Sequence, residues 1–235
     1  MNKWTKAGVV LALSCVAFSS CSDIFTTSTA SALERDSPGV SSSASVSDLM
    51  DIANSNTGAN PEVAKEILDI LADKKPSDLT SLSIEDKTAI LNLAGTAAIP
   101  TGTITALAQD ITEEGADSNA LVEEAIGRFD SSVNLTAIEV LLSDPETLES
   151  ASEESLVFAS AAVLADVANE VGANVVMEIM ADPSLMQDSD LSQDQKDQIN
   201  LVINVLDVID SRPAEDGQTS LGDFTLTDLL RGNKT

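Results

Sequence analysis

The chain has 235 residues, of which 39 are Asp or Glu and 12 are Lys or Arg, giving a formal charge of -27, with two cysteines, one tryptophan and neither histidine nor tyrosine. Histidine is the commonest general base near neutral pH and the commonest metal ligand, so Ser-His-Asp triads, Cys-His dyads, haem and structural zinc are excluded. A field of this sign repels nucleic acid and anionic lipid headgroups, and it attracts cations or a basic partner.

At the N-terminus Lys3 and Lys6 precede an uncharged, mostly apolar run from Ala7 to Ser20, which ends Phe18-Ser19-Ser20-Cys21. A positive start, an apolar run and small residues in that order make a secretory signal. The run is shorter than the ~20 residues that a membrane-spanning helix needs. Cleavage after Ala30 or Ala32 is the layout of an ordinary secreted protein. The two small residues directly before Cys21 resemble the lipobox of bacterial lipoproteins, with Phe18 where an aliphatic residue is commoner. The resemblance implies that residues 1–20 are a signal peptide and that Cys21 is lipidated and becomes the mature N-terminus. Cys15 then leaves with the signal, and no second cysteine remains for a disulfide. The implied address is the bacterial cell envelope, with the protein anchored through its lipid at the outer membrane; Ser22 resembles the sorting signal of enteric bacteria. Because residues 1–20 carry two lysines and no acid, processing makes the chain more negative still.

Residues 21–45 are dense in Ser, Thr and Ala and read as a flexible tether after the lipidated cysteine. The helical domain is expected over 46–211. From Asn60 onward apolar residues recur with helical spacing, and almost no stretch has the period of two that a strand requires, so the expected fold is all-α. Val63, Ile67, Ile70 and Leu71 share one stripe, opened by Asn60-Pro61 as N-cap and first-turn proline. Small-residue runs at Ala94–Ala98 and Ala159–Ala168 suit close helix packing. Leu121, Ala125 and Arg128 share a face, with Val122, Ile126 and Phe129 on the adjoining one. Ser150-x-x-Glu153 and Ser192-x-x-Gln195 read as capping boxes. The second precedes a stripe of Ile199, Val202, Ile203, Leu206 and Ile209. In the tail, 212–235, Phe224, Leu226, Leu229 and Leu230 form a short amphipathic helix able to cap the last hairpin.

Four similar helix ends close at Asp73, Asp110, Asp144 and Asp182, at spacings of 37, 34 and 38 residues. Each is followed by a polar stretch and then by a second amphipathic helix. This recurrence predicts helical hairpins of about 36 residues stacked as a short array, or folded as a compact bundle. Over Ser45 to Ser211 the period loosely resembles tetratricopeptide-type repeats. The aromatic and Leu-Gly positions of that consensus are missing and the polar loop is longer, so no functional residue is carried over.

No Gly-x-Ser-x-Gly, Ser-x-x-Lys, Asp-Thr-Gly or phosphate-cradling glycine loop occurs, and no catalytic residue or cofactor is expected. Asp188 to Asp194 places oxygen-bearing side chains at alternate positions, like the start of a calcium loop. Gln193 then stands where the turn glycine belongs and Ile199 where the bidentate glutamate belongs, so calcium ranks below a solvated loop. The acids Asp144, Glu146, Glu149, Glu153 and Glu154 fit the bias of helix starts toward negative charge. The expected function is that of a non-enzymatic, lipid-anchored helical scaffold or adaptor for another envelope protein. The alternative is a carrier or sensor of a small apolar ligand held between helices.

Overall fold

The computed structural model describes residues 40–55, 58–98 and 128–212, with the backbone of 220–221 and 224–225. Cys21, Asp110, residues 121–126 and the tail residues Leu226, Leu229 and Leu230 lie outside the described residues. Among the described residues the fold is all-α, with nine α-helices, one 3-10 helix and a two-stranded ribbon of two residues a strand.

Helix α1 spans Val46–Ala53. Ser45 has extended backbone and its Oγ accepts the Asp48 N–H at 3.1 Å, while the Asp48 carboxylate accepts the Ser45 N–H at 3.1 Å. These reciprocal bonds satisfy two of the donors that a helix start leaves open. Packing extends upstream of the helix: Val40 is buried, and Lys74 Nζ donates to the Ala44 carbonyl at 2.9 Å.

Three units of one design follow. The first is α2 Pro61–Ala72, α3 Pro76–Thr80 and α4 Ile84–Ala98. The second is α5 Thr136–Leu142, α6 Pro145–Ser150 and α7 Glu153–Val171. The third is α8 Ala173–Ala181, the 3-10 helix Pro183–Asp188 and α9 Gln193–Ser211. The polar stretch inside each unit, read from sequence as a loop, is therefore itself a short helix. Each of the three opens on a proline, which fits the first helical turn because its missing N–H would have no partner there. Asp144 and Asp182 are the N-caps of two of them, and their carboxylates accept the N–H groups of Thr147 and Ser184. Asp182 thus closes one helix and caps the next, Asp144 follows the Ser143 end of α5 and caps α6, and Asp73 only ends α2, since the N-cap of α3 is Lys75.

A serine opens each long helix. The Oγ of Ser83, Ser152 and Ser192 accepts the N–H of Asp86, Ser155 and Gln195, each at 3.2 Å. The Ser192-x-x-Gln195 box is reciprocal, as expected. No capping box forms at Ser150, which ends α6; the N-cap of α7 is Ser152, in extended backbone and with a side chain that accepts the Ser155 N–H.

The long helices α4, α7 and α9 pack side by side, with α2 flanking α4, and one contiguous apolar core joins them. Val63, Ile67, Ile70 and Leu71 all face that core, as do Ile199, Val202, Leu206 and Ile209, whereas Ile203 is half-buried. Helix α7 lies between neighbours and is buried on most of its circumference. Small residues let its backbone approach α4: a Cβ added at Gly95 would sit 3.6 Å from the Cβ of Phe158. Gly172 (φ 99°, ψ 136°) turns the chain from α7 into α8, in backbone that favours glycine. Short α5 is the hub, with Ala137, Ile138, Leu141 and Leu142 inaccessible to solvent and packed among α2, α4, α7 and α9.

Arg212 ties the end of α9 to the end of α6, donating from Nη1 to the Ala151 carbonyl at 2.9 Å and from Nη2 to that of Leu148. Beyond it, Ser220–Leu221 and Phe224–Thr225 pair antiparallel, Ser220 opposite Thr225 and Leu221 opposite Phe224, so Phe224 lies in a strand and not on the short capping helix expected there.

Candidate interaction surface

Two groups of described carboxylates stand out, one engaged by the buried Lys87 and one on or beside α5 and α7. The first group centres on Lys87. This residue lies on the α4 stripe that also carries Ile90, Leu91 and Ala94, and its side chain is fully buried. Its ammonium meets Asp144 Oδ2 at 3.0 Å and Glu146 Oε2 at 2.8 Å, joining α4 to the start of α6. Burial alone would lower the Lys87 pKa, but the hydrogen bonds to Glu146 and Asp144 outweigh it and the pKa is raised. Burial likewise works to raise the Asp144 carboxyl, yet the Thr147 hydroxyl, at 2.6 Å, the Lys87 ammonium and the Thr147 N–H together hold it below the ordinary carboxylate range. Asp144 is thus at once a helix cap and the counter-ion of a buried cation.

The second group has amide partners in place of cations. Glu139 on α5 accepts from Gln198 Nε2 at 2.6 Å, and Glu170 on α7 accepts from Gln195 Nε2 at 2.7 Å. Half-buried Asp166 lies near both carboxylates, and burial first, then the charges of Glu170 and Glu139, push its pKa up. A group whose folded pKa exceeds its unfolded value of 3.8 penalises the charged native state above that folded pKa, and the penalty lifts as pH falls through it. Asp166→Asn is therefore expected to raise the thermal midpoint at neutral pH. The gain should shrink to nothing as wild type and variant are compared at falling pH, and an equal gain at every pH would contradict this account.

Two open depressions flank α5. One, between α5 and α9, is lined by Glu139, Ser143, Asp194, Asp197, Asn200 and Leu201, among others. The other is chiefly apolar and is formed by Pro76, Thr80, Thr136, Val140 and Pro145 with the edges of Glu139, Ser143 and Asp144. They meet along Glu139 and Ser143, and no basic residue lines either.

The acids weighed for calcium sit in a different setting. Asp188 ends the 3-10 helix, and the Ser192 side chain is committed to capping α9. No three His, Cys, Asp or Glu among the described residues are grouped so as to hold a metal ion. Glu146, Glu153 and Glu154 occupy first turns of α6 and α7, where the helix dipole favours negative charge. Among the described residues no helix is long and apolar enough to cross a membrane.

No protein-family model matches the chain, and neither a curated protein nor a solved structure matches it. The class that the architecture defines is an all-α protein of stacked units, each a helix, a short proline-opened helix and a longer serine-capped helix.

Proposed function

We propose that this chain is a non-enzymatic adaptor of a bacterial cell envelope, anchored by a lipid on Cys21 and presenting its helical domain to another envelope protein. The supporting observation is how the polar groups are used. Caps at Ser45, Asp144, Asp182, Ser152 and Ser192 and the Lys87 latch engage side chains in holding helices together, while the surface beside α5 keeps open, shallow relief with uncompensated carboxylates. Shallow relief beside a rigid helix suits a macromolecular partner better than an enclosed small-molecule site does. The two depressions described here are both open, so no observation favours the carrier.

The anchor is tested by metabolic labelling with an alkyne fatty acid and by fractionation, comparing wild type with Cys21→Ser. Wild type should take up label and sediment with membranes, whereas the variant should do neither. Processed protein should also lack the near-ultraviolet absorbance of Trp4, since that is the single tryptophan and there is no tyrosine. Label incorporated equally by the variant, or Trp4 absorbance in the purified wild type, would contradict the anchor.

A further inference from the structure

The surface beside α5 combines two features in a fixed order. Along one side of the helix lies the apolar shelf of Pro76, Val140 and Pro145, and along the other the trough of Glu139, Asp194 and Asp197. Resting on the adaptor reading, we propose that this surface docks a basic amphipathic helix of the partner protein, with its apolar stripe on the shelf and its Lys or Arg side chains against the trough.

Charge complementarity carries the choice of occupant. The chain has no basic residue between Arg128 and Lys196, a span that supplies half of the lining, and the other lining residues are not basic either. Lys87 is buried against Asp144 and Glu146 and neutralises those two groups, and Lys196, on α9 between Asp194 and Asp197, turns its ammonium to the Ser189 carbonyl and does not line the trough. Glu139 accepts from a neutral amide, that of Gln198, and Asp197 accepts from the amide of Gln193. The trough therefore lacks a cation of its own, and the crowding also reaches Asp166 behind it. A cationic partner would relieve that repulsion, whereas a second copy of this chain or an anionic lipid surface would increase it. The apolar shelf narrows the occupant further, because a uniformly polar basic segment would leave Val140 and the two prolines facing water. A helix with apolar residues at i, i+3, i+4 and i+7 and lysines on the flank matches both sides at once.

The test uses the full processed protein and a fluorescent Leu/Lys amphipathic helical peptide, with two controls: the same composition in scrambled order and a Leu/Glu counterpart. Binding is read by anisotropy. Saturable binding of the Leu/Lys helix is expected, stronger than that of the scrambled peptide, with none for the Leu/Glu helix. Glu139→Gln/Asp194→Asn/Asp197→Asn should weaken it about tenfold, because three rim charge pairs are lost together. Removing the same charge elsewhere, by Glu62→Gln/Asp69→Asn/Glu85→Gln, should change it less than about twofold through the general field alone. Val140→Lys, which places a cation on the shelf, should weaken it without altering the trough. Equal weakening by the two triple variants, equal binding of ordered and scrambled peptides, or no saturable binding would overturn the proposal. If a partner found in cells crosslinks only through other faces, this docking site fails while the adaptor reading survives. If no partner exists in cells, the adaptor reading itself fails, whatever the peptide does.

Discussion

Lys87→Ala should lower unfolding stability by about 3 kcal/mol, a value within the usual range for breaking a buried ion pair from one side. The cost has two parts. The aliphatic stem is lost from a fully buried position, and Asp144, with a side chain only 15% exposed, loses its counter-ion. Glu146 adds little, because its side chain is 73% exposed and water screens that half of the latch. Lys87→Met keeps most of the stem and should cost roughly half as much, since it removes only the charge. Adding Asp144→Asn to Lys87→Met should recover most of that loss, because asparagine still caps α6 and the one charge left without its partner, Glu146, faces water. Chemical denaturation followed by far-ultraviolet circular dichroism checks this series. If Lys87→Met and the double variant are equally destabilised, the loss lies in packing and not in the latch. The pH dependence has a definite sign. The Asp144 carboxyl is lowered in the fold, so its contribution is present above the unfolded pKa of 3.8 and is lost as pH falls through the folded value. Lys87 is raised, so its own contribution is complete below 10.5 and is lost only as pH rises through the folded value.

Gly58→Ala should cost about 2 to 3 kcal/mol, as expected for forced overpacking. A Cβ at this position would lie 2.4 Å from the carbonyl oxygen of Ala53 and 2.7 Å from its Cα, both backbone atoms at the end of α1. No rotamer change relieves such a contact, so α1 must shift. That helix buries Leu49 and Met50 in the core, and a shift there exposes or strains both. Gly95→Ala is the built-in comparison, because its Cβ would meet Phe158 at an ordinary 3.6 Å and alanine favours a helix interior. It should be neutral or slightly stabilising. Thermal unfolding of the two variants side by side distinguishes them, and equal midpoints would contradict the packing described around Gly58.

The parts of this fold that could be read from sequence are those with a strong local signal. The stripes of α2 and α9 alternate apolar and polar residues at helical spacing, and the Asn60-Pro61 start and the Ser192-x-x-Gln195 box state their ends explicitly. The short helices escaped because five or six residues opened by proline, such as Pro76–Thr80, span little more than one turn and show no period. Ser150 drew the capping expectation away from Ser152 for a related reason: the sequence does not show that α6 still occupies Ser150. The latch was hidden differently, since Lys87 and Asp144 are far apart in sequence. One signal was present. Lys87 continues the stripe of Ile90, Leu91 and Ala94 by one turn, which placed a cation on a core-facing position and called for a buried acid. The surface beside α5 could not be read at all, because it is made of exposed residues from α3, α5, α6 and α9 that only the fold brings together.

The adaptor reading is most directly tested by site-specific photocrosslinking in cells, with the intact lipidated protein carrying the reactive residue at Val140 or Leu201, beside α5, or at Asp69, on the exposed side of α2. The account predicts one envelope protein, joined in high yield from Val140 and Leu201 and not from Asp69. The absence of any crosslinked protein from all three positions would contradict it.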